Sequence, residues 1–332
     1  MNAPKVDPED YIQFVIASPN VVSALQAAAA QPDQADPPAH DAFTRLLHRL
    51  EPDPSTLWVE AQPQVNRGGG VLVIDDSTLD KPYATAIDWV TRHWSGKHHA
   101  VVQGINLVTL LWTDGDRHIP CDYRVYHKAD GATKNDHFAT MIRTARERGF
   151  SPRCVAFDSW YGSVKNLKLV QSLGWVWLTR LKSNRLVNRD RQGTKAVKEA
   201  VITASGTEVW LKGYGLVRVF RIVAPHGDIA YWATNDLTMT ELTRKQFSEC
   251  SGMIEQYHRG IKQYTGIERC HARSATAQRN HIGLALRAFL RLEIYCFQRG
   301  ISWFATKRSI INDALRAYLA KPFILLPNMA TA

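Results

Sequence analysis

The stretch Val71-Leu-Val-Ile-Asp-Asp-Ser77 is the part of the sequence that most directly indicates the fold. Its four apolar residues are typical of a strand that is buried on both faces, and two acids follow at once. A second apolar run, Cys154–Phe157, is likewise followed by an acid, Asp158. Open α/β sheets place their active sites at the carboxyl ends of such strands, so we expect Asp76 and Asp158 to lie side by side.

The segments around these two strands predict a mixed sheet flanked by helices. The apolar run Val101–Trp112 and the alternating segment Arg117–Val125 are joined by an Asp-Gly turn, so they form a meander with the first strand. Two helices are predicted further along, each with a capping residue at its start and a glycine at its end: Thr133–Gly149 and Ser163–Gly174. With a last strand at Trp175–Thr179, this strand–helix–strand order predicts parallel pairing.

Two neighbouring carboxylates repel each other unless a proton or a cation lies between them. Their hard oxygen atoms select Mg²⁺ or Mn²⁺, and Mg²⁺ commonly takes one or two carboxylates together with phosphate oxygens. A third carboxylate lies in Met253–Gln263, a helical segment whose apolar stripe consists of Ile254, Tyr257, Ile261 and the next residue in the pattern, Tyr264. Glu255 of this helix could hold a second ion roughly 3.5–4 Å from the first, the geometry of phosphodiester chemistry.

The same helix carries His258, Arg259 and Lys262 on the side of Glu255, and these side chains suit contacts with phosphates. Each feature also has an ordinary structural explanation. An aspartate after a strand can cap a turn, Glu255 and Arg259 can form a surface ion pair, His258 can be structural, and Lys262 can be solvated. Three acids in this order within a basic chain favour the functional interpretation.

Charge is distributed unevenly along the chain of 332 residues, whose net charge is +10. Residues 1–70 carry a net charge of −5, whereas residues 71–332 carry +15. A generally basic protein is the plain explanation, but the asymmetry indicates that residues 71–332 contact nucleic acid. We do not expect the acidic N-terminal segment to bind DNA through its bulk charge.

Composition argues against several other classes of protein. No run of about 18 apolar residues indicates a membrane span, and the N-terminus lacks the pattern of a signal peptide. The five cysteines are widely spaced and include no CxxC pair, so neither a zinc knuckle nor a disulfide scaffold is expected. No GxGxxG or GxxxxGKS/T segment indicates a metabolic enzyme that binds nucleotides. We expect a protein of the reducing cytoplasm.

Changes in composition divide the chain into five predicted segments. Residues 1–67 form a helical N-terminal region, and Gly68-Gly69-Gly70 is a flexible joint at a domain boundary. Residues 68–180 form the first part of the core. The remaining segments are a β-rich insertion at 181–240 with strands near 201–203, 208–212, 216–223 and 229–234, core helices that carry Glu255 at 241–300, and a C-terminal helical tail at 301–332.

These motifs resemble those of DDE transposases of bacterial insertion sequences, in particular the cut-and-paste group with a ribonuclease-H-like core and a β-rich insertion. In that group the first Asp precedes Ser or Thr, as Asp76 does here, and the second ends an apolar strand, as Asp158 does. The Glu lies in the pattern I-E-x-F/Y-H-R/K-x-x-K, which Ile254–Lys262 fits at every fixed position. The resemblance covers roughly residues 70–300.

The sequence departs from this group at two signature positions. Tyr and Arg are expected seven and four residues before the Glu, where this chain has Ser248 and Ser251. Phe247 or Arg244 would have to substitute for them. A second open point is the double acid, because strand alternation does not say whether Asp75 or Asp76 faces the site; the family pattern favours Asp76, which directly precedes Ser.

The resemblance implies a mixed α/β fold and a DNA transposase. Asp76, Asp158 and Glu255 would bind two Mg²⁺ or Mn²⁺ ions, cut the ends of the element and join them to target DNA, with hairpin ends as intermediates. The partners implied are double-stranded DNA, in the form of terminal inverted repeats and target, and a second protomer on DNA. The alternatives are a ribonuclease-H-like nuclease without strand transfer, and a catalytically silent DNA-binding derivative.

Further candidates for DNA contacts follow from the basic segments. The stretch Lys182–Lys198 and a cluster after the Glu255 helix are rich in cations that suit the phosphate backbone. Trp160 and Tyr161 follow the second Asp and could stack on an unpaired base near the cut, although core packing is the alternative. The DNA-binding candidates are Lys262, His258, Arg259, Lys182, Arg185, Arg269, Arg273 and Arg279.

Overall fold

Strand β1, Val71–Asp80, joins the antiparallel part of the sheet to its parallel part. The computed structural model describes residues 3–19, 22–95, 100–190 and 193–322. The further strands are β2 (Thr91–Ser95), β3 (Ala100–Thr113), β4 (Ile119–Tyr126), β5 (Cys154–Phe157), β6 (Trp177–Leu181), β7 (Leu186–Asn188), β8 (Lys195–Ala196), β9 (Thr207–Leu211), β10 (Gly215–Val223) and β11 (Ile229–Thr234). The helices are α1 (Pro8–Ala17), α2 (Ala24–Ala29), α3 (His40–Arg49), α4 (Ser55–Ala61), α5 (Lys134–Glu147), α6 (Val164–Ser172), α7 (Glu241–Tyr264), α8 (Ala275–Arg299) and α9 (Trp303–Ala320).

The described strands form one mixed sheet. Its order is β2-β3-β1-β5-β6-β11-β10-β9-β7-β8, with β4 beside β3. Strand β5 pairs parallel with β1 and with β6, whereas β3 and β11 pair antiparallel with their core neighbours. This confirms the predicted mixed sheet flanked by helices, an arrangement consistent with a ribonuclease-H-like fold.

The two acids of β1 lie inside the strand, whereas the sequence predicted them after its end. Val71–Ile74 is buried between both neighbouring strands. Strand β3 is long and continues to pair with β1 through Asp75 and Asp76 to the end of the strand, so the backbone stays extended. The parallel pairing with β5 stops at Phe157. Asp75 and Asp158 therefore each follow directly after the last residue of the parallel pairing between β1 and β5.

Helices cover both faces of the sheet near these acids. Thr133 and Asp136 form the capping box at the start of α5, as the sequence indicated. Phe138 of α5 packs against Phe157 of β5 with ring centroids 5.0 Å apart, which defines the α5 face. Helix α7 packs against β1 and β5, and its predicted apolar stripe is buried at Ile254, Tyr257 and Ile261 and half-buried at Tyr264. Consecutive residues of β1 point alternately toward α5 and toward α7.

The N-terminal helices form a second core with the first half of α8. Phe43 and Leu46 of α3 are fully buried in this cluster together with Ala277 and Leu284 of α8. At the predicted joint, Gly70 has a φ of +70°, and a Cβ atom there would lie 2.5 Å from Nε1 of the Trp112 indole ring. This glycine is therefore packed against β3 and is not a freely flexible joint. The domain boundary itself stays a prediction.

The insertion extends the core sheet. Strand β11 pairs with β6, and β10, β9, β7 and β8 follow outward. Strands form close to three of the predicted positions, but residues 201–203 are irregular, and β7 and β8 were not predicted. Helix α9 begins at Trp303, within the segment predicted as a C-terminal helical tail. Arg191 of the basic stretch and residues 323–332 of the predicted tail lie outside the described residues. None of the described helices is both long and apolar enough to cross a membrane.

Candidate active site

Three acidic side chains from separate elements line one cavity of about 140 Å³. Asp75 comes from β1, Asp158 from the turn after β5, and Glu255 from α7. Parallel pairing of β1 and β5 brings the two aspartates to one edge, and α7 lies against both strands. The structure thus brings the predicted Asp158 and Glu255 together with Asp75, and it directs Asp76 elsewhere.

Negative charge is concentrated in this cavity. Burial raises the pKa of Asp75 well above its usual range, and the charges of Asp76, Asp158 and Glu255 raise it further. Burial also raises the pKa of Asp158, although Oδ1 of Asp158 accepts the N–H of Trp160 at 2.9 Å. Among the ion pairs of the described residues, none includes Asp75, Asp158 or Glu255. A cation bound here would offset both the cost of burying these carboxylates in the charged form and the repulsion between them.

The donor set fits a hard divalent cation, because carboxylate oxygens are the ligands that Mg²⁺ and Mn²⁺ prefer. Within the described ranges, no three His, Cys, Asp or Glu side chains already stand in the arrangement of a metal site. The three carboxylates of the cavity would therefore have to rotate toward one another to share an ion.

Asp76 points to the α5 face, where its charge is already neutralised. Its carboxylate accepts hydrogen bonds from Lys134 Nζ at 2.7 Å, Asn106 Nδ2 at 2.8 Å and Tyr161 Oη at 2.8 Å. Burial would raise the pKa of Asp76, but the Lys134 charge and these hydrogen bonds outweigh burial and lower it. Asp75 and Asp76 are consecutive residues of an extended strand, so they face opposite sides of the sheet.

The two departures from the family signature lie in the wall of the cavity. Both line it beside Glu255: Ser251 lies about one turn earlier on α7, and Ser248 about two turns earlier. The suggested substitutes do not line it: Arg244 is buried and donates to Ser248 Oγ at 3.2 Å, and Phe247 is also buried. Among the described lining residues the cation is Arg180, a residue of β6 that the sequence did not single out.

A second, basic cavity of about 480 Å³ adjoins the acidic one, because Arg180 lines both. Lys182 and Arg185, two predicted DNA contacts, lie in its wall. Trp160 also lines it, with 58% of its surface exposed and Lys182 Nζ 5.8 Å from the ring centroid. Tyr161, the other stacking candidate, is fully buried, so the structure does not offer it to a base.

Two predicted DNA contacts on α7 do not face solvent freely: Lys262 is paired within the protein, and His258 is buried. Lys262 Nζ donates to the Thr78 carbonyl at 2.6 Å and pairs with Glu268 Oε1 at 2.9 Å. His258 is buried, and burial, reinforced by the Lys262 charge, lowers its pKa to about 4. A neutral, buried imidazole matches the structural alternative for His258 better than a phosphate contact.

The remaining predicted cations are accessible on the surface of the α7–α8 region. Arg259 is exposed on α7, and Arg269 and Arg273 are exposed in the loop before α8. Arg279 is half-buried, with its guanidinium 5.1 Å from the centroid of the Trp89 ring. None of these four residues lines the basic cavity beside Trp160, so we divide the predicted DNA contacts into two groups.

The mixed sheet with acidic residues on β1, after β5 and on α7 is consistent with a ribonuclease-H-like fold. A family model described as the Transposase DDE domain matches residues 66–291, and the chain therefore belongs to the DDE transposase family. Membership of this family implies dependence on a divalent metal ion. The family model matches most of the segment in which the sequence motifs lie.

Two individual proteins illustrate the likeness. The "Probable transposase for insertion sequence element IS701" of Microchaete diplosiphon is 28% identical over 141 residues, which are 40% of this chain. The match spans 37% of the length of that relative. The cryo-EM structure of the piggyBac transposase synaptic complex with hairpin DNA aligns over 100% of this chain and 78% of its own, with a TM-score of 0.54 and 12% identity. The second likeness is one of fold.

Proposed function

We propose that this chain is a DNA transposase that cuts the ends of its element and joins them to target DNA. The observation that supports this most is that Asp75, Asp158 and Glu255 line one cavity in a member of the DDE transposase family. Water attacks a phosphodiester at the end of the element and releases a 3′-hydroxyl. That hydroxyl then attacks a phosphodiester of the target and displaces the target's own 3′-oxygen.

Asp75, Asp158 and Glu255 are the proposed ligands of Mg²⁺ or Mn²⁺, with two ions in the site. These three carboxylates would hold the ions, which when bound would supply activation of the attacking oxygen and stabilisation of the charge that develops on the leaving oxygen. We choose Asp75 over Asp76 because Asp75 lines the acidic cavity, whereas Asp76 already accepts three hydrogen bonds, one of them from an ammonium group. Repulsion among the three carboxylates favours cation binding at this position.

Arg180 is the proposed phosphate clamp. It lines both the acidic and the basic cavity, and its guanidinium lies 4.9 Å from the centroid of the Trp232 ring. Stacking limits the motion of the side chain, and a guanidinium matches the geometry of phosphate oxygens. Arg180 would orient the phosphate that is cut. Ser251, which stands on α7 where the family pattern has Arg, lacks the positive charge for this role.

The basic cavity continues this path for the DNA strand. Lys182 and Arg185 would hold the phosphates next to the cut, and Trp160 would stack on an unpaired base. The second group of cations would hold duplex DNA further from the cut: Arg259, Arg269, Arg273 and Arg279. Lys262 would join them after leaving Glu268.

Two protomers would act together, since an element has two ends and each end needs an active site. We also propose hairpin ends as the intermediate that frees the second strand. The five cysteines are all free thiols, which fits action on DNA in a reducing, cytoplasmic setting.

Cleavage assays test the proposal, with DNA that carries the inverted repeats expected to flank the coding region as the substrate. Asp75→Asn, Asp158→Asn and Glu255→Gln should each lower the Mg²⁺-dependent cleavage rate by more than about 1000-fold, since the ions supply several kcal/mol. DNA affinity should be retained, because the cations remain. Lys168→Ala, an exposed change on α6, is the matched control. Substantial cleavage by any of the three carboxylate variants would contradict the proposal.

Strand transfer is tested separately with pre-cut ends. The unchanged chain should join them to a supercoiled target, and the three carboxylate variants should not. Cleavage without joined product would instead indicate a nuclease, and DNA binding without cleavage would indicate a silent derivative.

A further inference from the structure

We propose that Asp76 is a positioning residue, which ties β1 to the turn after β5 so that Asp75 and Asp158 hold their carboxylates toward a shared metal ion. The inference rests on the proposed function of the acidic cavity. It assigns to the second acid of the pair a role that its family pattern does not indicate.

The side chain of Asp76 joins three parts of the molecule at one carboxylate. Its Oδ2 atom accepts from Asn106 Nδ2 of β3 and from Lys134 Nζ at the start of α5, at 2.8 and 2.7 Å. Its Oδ1 atom accepts from Tyr161 Oη at 2.8 Å. Both carboxylate oxygens are therefore engaged, and one of them already faces a cation.

Tyr161 connects this carboxylate directly to Asp158. The side chain of Tyr161 donates to Asp76, while its backbone N–H and that of Trp160 point to Asp158 Oδ1, at 3.4 and 2.9 Å. The same short turn thus holds Asp158 through its backbone and Asp76 through one hydroxyl.

The turn is itself anchored from the α5 face. The Tyr161 ring is fully buried and stacks on Phe138 with ring centroids 5.5 Å apart. The Tyr161 carbonyl accepts from Asn166 Nδ2 at 2.9 Å, and Asn166 also donates to Asn135 Oδ1 at 2.7 Å. These contacts restrict the motion of the turn. Loss of the hydrogen bond from the Tyr161 hydroxyl would therefore change the position of β1 relative to Asp158.

The geometry separates positioning from coordination. For Asp76 to bind a metal ion it would have to leave Lys134 and turn past its own strand, because Glu255 lies toward the opposite face. Removal of a residue that hydrogen-bonds or orients a metal ligand typically weakens metal affinity about 10–100-fold. Loss of a ligand itself in a three-carboxylate site is expected to abolish metal binding.

Mn²⁺ binding to the full chain tests the inference, measured by isothermal titration calorimetry in parallel with the thermal unfolding midpoint. Tyr161→Phe and Asp76→Asn should each weaken Mn²⁺ affinity about 10-fold. Asp75→Asn should abolish binding. The double variant should be no weaker than the weaker single variant, since both changes cut the same connection. Lys165→Met, an exposed charge removal on α6, should leave Mn²⁺ affinity unchanged.

Two results would overturn the inference. Loss of all Mn²⁺ binding in Asp76→Asn would make Asp76 a ligand. Unchanged Mn²⁺ affinity in Tyr161→Phe, with or without a lower unfolding midpoint, would mean that these hydrogen bonds only stabilise the fold. Because this variant removes a single hydroxyl, it tests the inference even if Asp76→Asn does not fold. Unchanged Mn²⁺ binding in Asp75→Asn and Asp158→Asn would contradict the proposed function itself, whatever the Tyr161 variant does.

Discussion

The two consecutive acidic residues of β1, one on each face of the strand, have opposite electrostatic environments. On the α7 face, Asp75 stands among other carboxylates, and burial with repulsion raises its pKa. On the α5 face, Asp76 is matched by Lys134 and by two neutral donors, which lower its pKa in spite of burial. Unmatched buried charge is costly, so a protein keeps it mainly where a ligand will neutralise it. The difference indicates that the α7 face is where the cation is expected.

The largest effect that would test this contrast is a change of metal preference. Asp75→Cys and Asp158→Cys should lose more than about 1000-fold of Mg²⁺-supported cleavage, because a hard ion binds thiolate poorly. Mn²⁺ should restore part of the rate, since it accepts sulfur better. Rates on pre-nicked and intact ends, measured in both metals, provide the check. Asp76→Cys should show no such metal dependence, and rescue by Mn²⁺ in that variant would reverse the assignment of the two faces.

Arg180 sharpens the same contrast, because it brings positive charge to the α7 face without pairing with its acids. Arg180→Ala should slow cleavage about 10–100-fold, the equivalent of about 1.5–3 kcal/mol for a hydrogen bond to a charged group. Arg180→Lys should recover only part of the rate, since it keeps the charge and loses the planar fork. Single-turnover cleavage measures this. Arg146→Ala, exposed on α5, is the control, and an equal loss in both variants would mean that only net charge matters.

Trp160 and Tyr161 are a second pair of consecutive residues with opposite environments: Trp160 is 58% exposed, and Tyr161 is fully buried. The expected effect of changing Trp160 is smaller than that of changing Arg180. Trp160→Ala should weaken binding of ends with an unpaired base about 10-fold, in line with about 1–3 kcal/mol for stacking of a base. Binding of fully paired ends and the thermal unfolding midpoint should hardly change. Fluorescence anisotropy with the two kinds of end provides the measurement. Equal loss on both would assign Trp160 to general DNA contact.

The smallest expected effect concerns Lys262, whose charge is matched inside the protein as that of Asp76 is. Glu268→Gln should free Lys262 for a phosphate and tighten DNA binding about 3-fold, as expected for a partly exposed ion pair. The dependence of log affinity on log salt should become steeper by about 0.9. Lys262→Gln should not tighten binding. If both variants bind DNA with the same affinity and salt dependence as the unchanged chain, Lys262 serves only to hold the end of β1.

Much of the fold was predictable because its signals are local. The capping residues Thr133 and Ser163, and the stripe of α7, depend on neighbours within a few residues, and the structure has them as expected. Strands β7 and β8 were not predictable, because they are short and depend on pairing with β9 and each other. The length of β1 beyond its apolar run was missed for the same reason, since β3 supports it.

In the candidate site, too, some residues could be predicted from local sequence patterns and others could not. Asp158 and Glu255 could be identified from the apolar strand before one and the helical pattern around the other. Arg180 carried no such signal, since its importance comes from lying between two cavities. For Tyr161 the sequence left base stacking and core packing both open, because its position beside Trp160 does not reveal burial under α5; its full burial matches core packing.

A mixed sheet, three separated acidic residues and a basic segment suited to DNA could all be predicted before folding was considered. Hydrophobic periodicity, residue chemistry and charge indicate these properties, and each can be read along the chain. Which acid of the pair faces Glu255 could not be predicted in this way. Adjacent residues of a strand point to opposite faces, and the choice between those faces depends on where α5 and α7 pack, which is a matter of contacts between residues far apart in the chain.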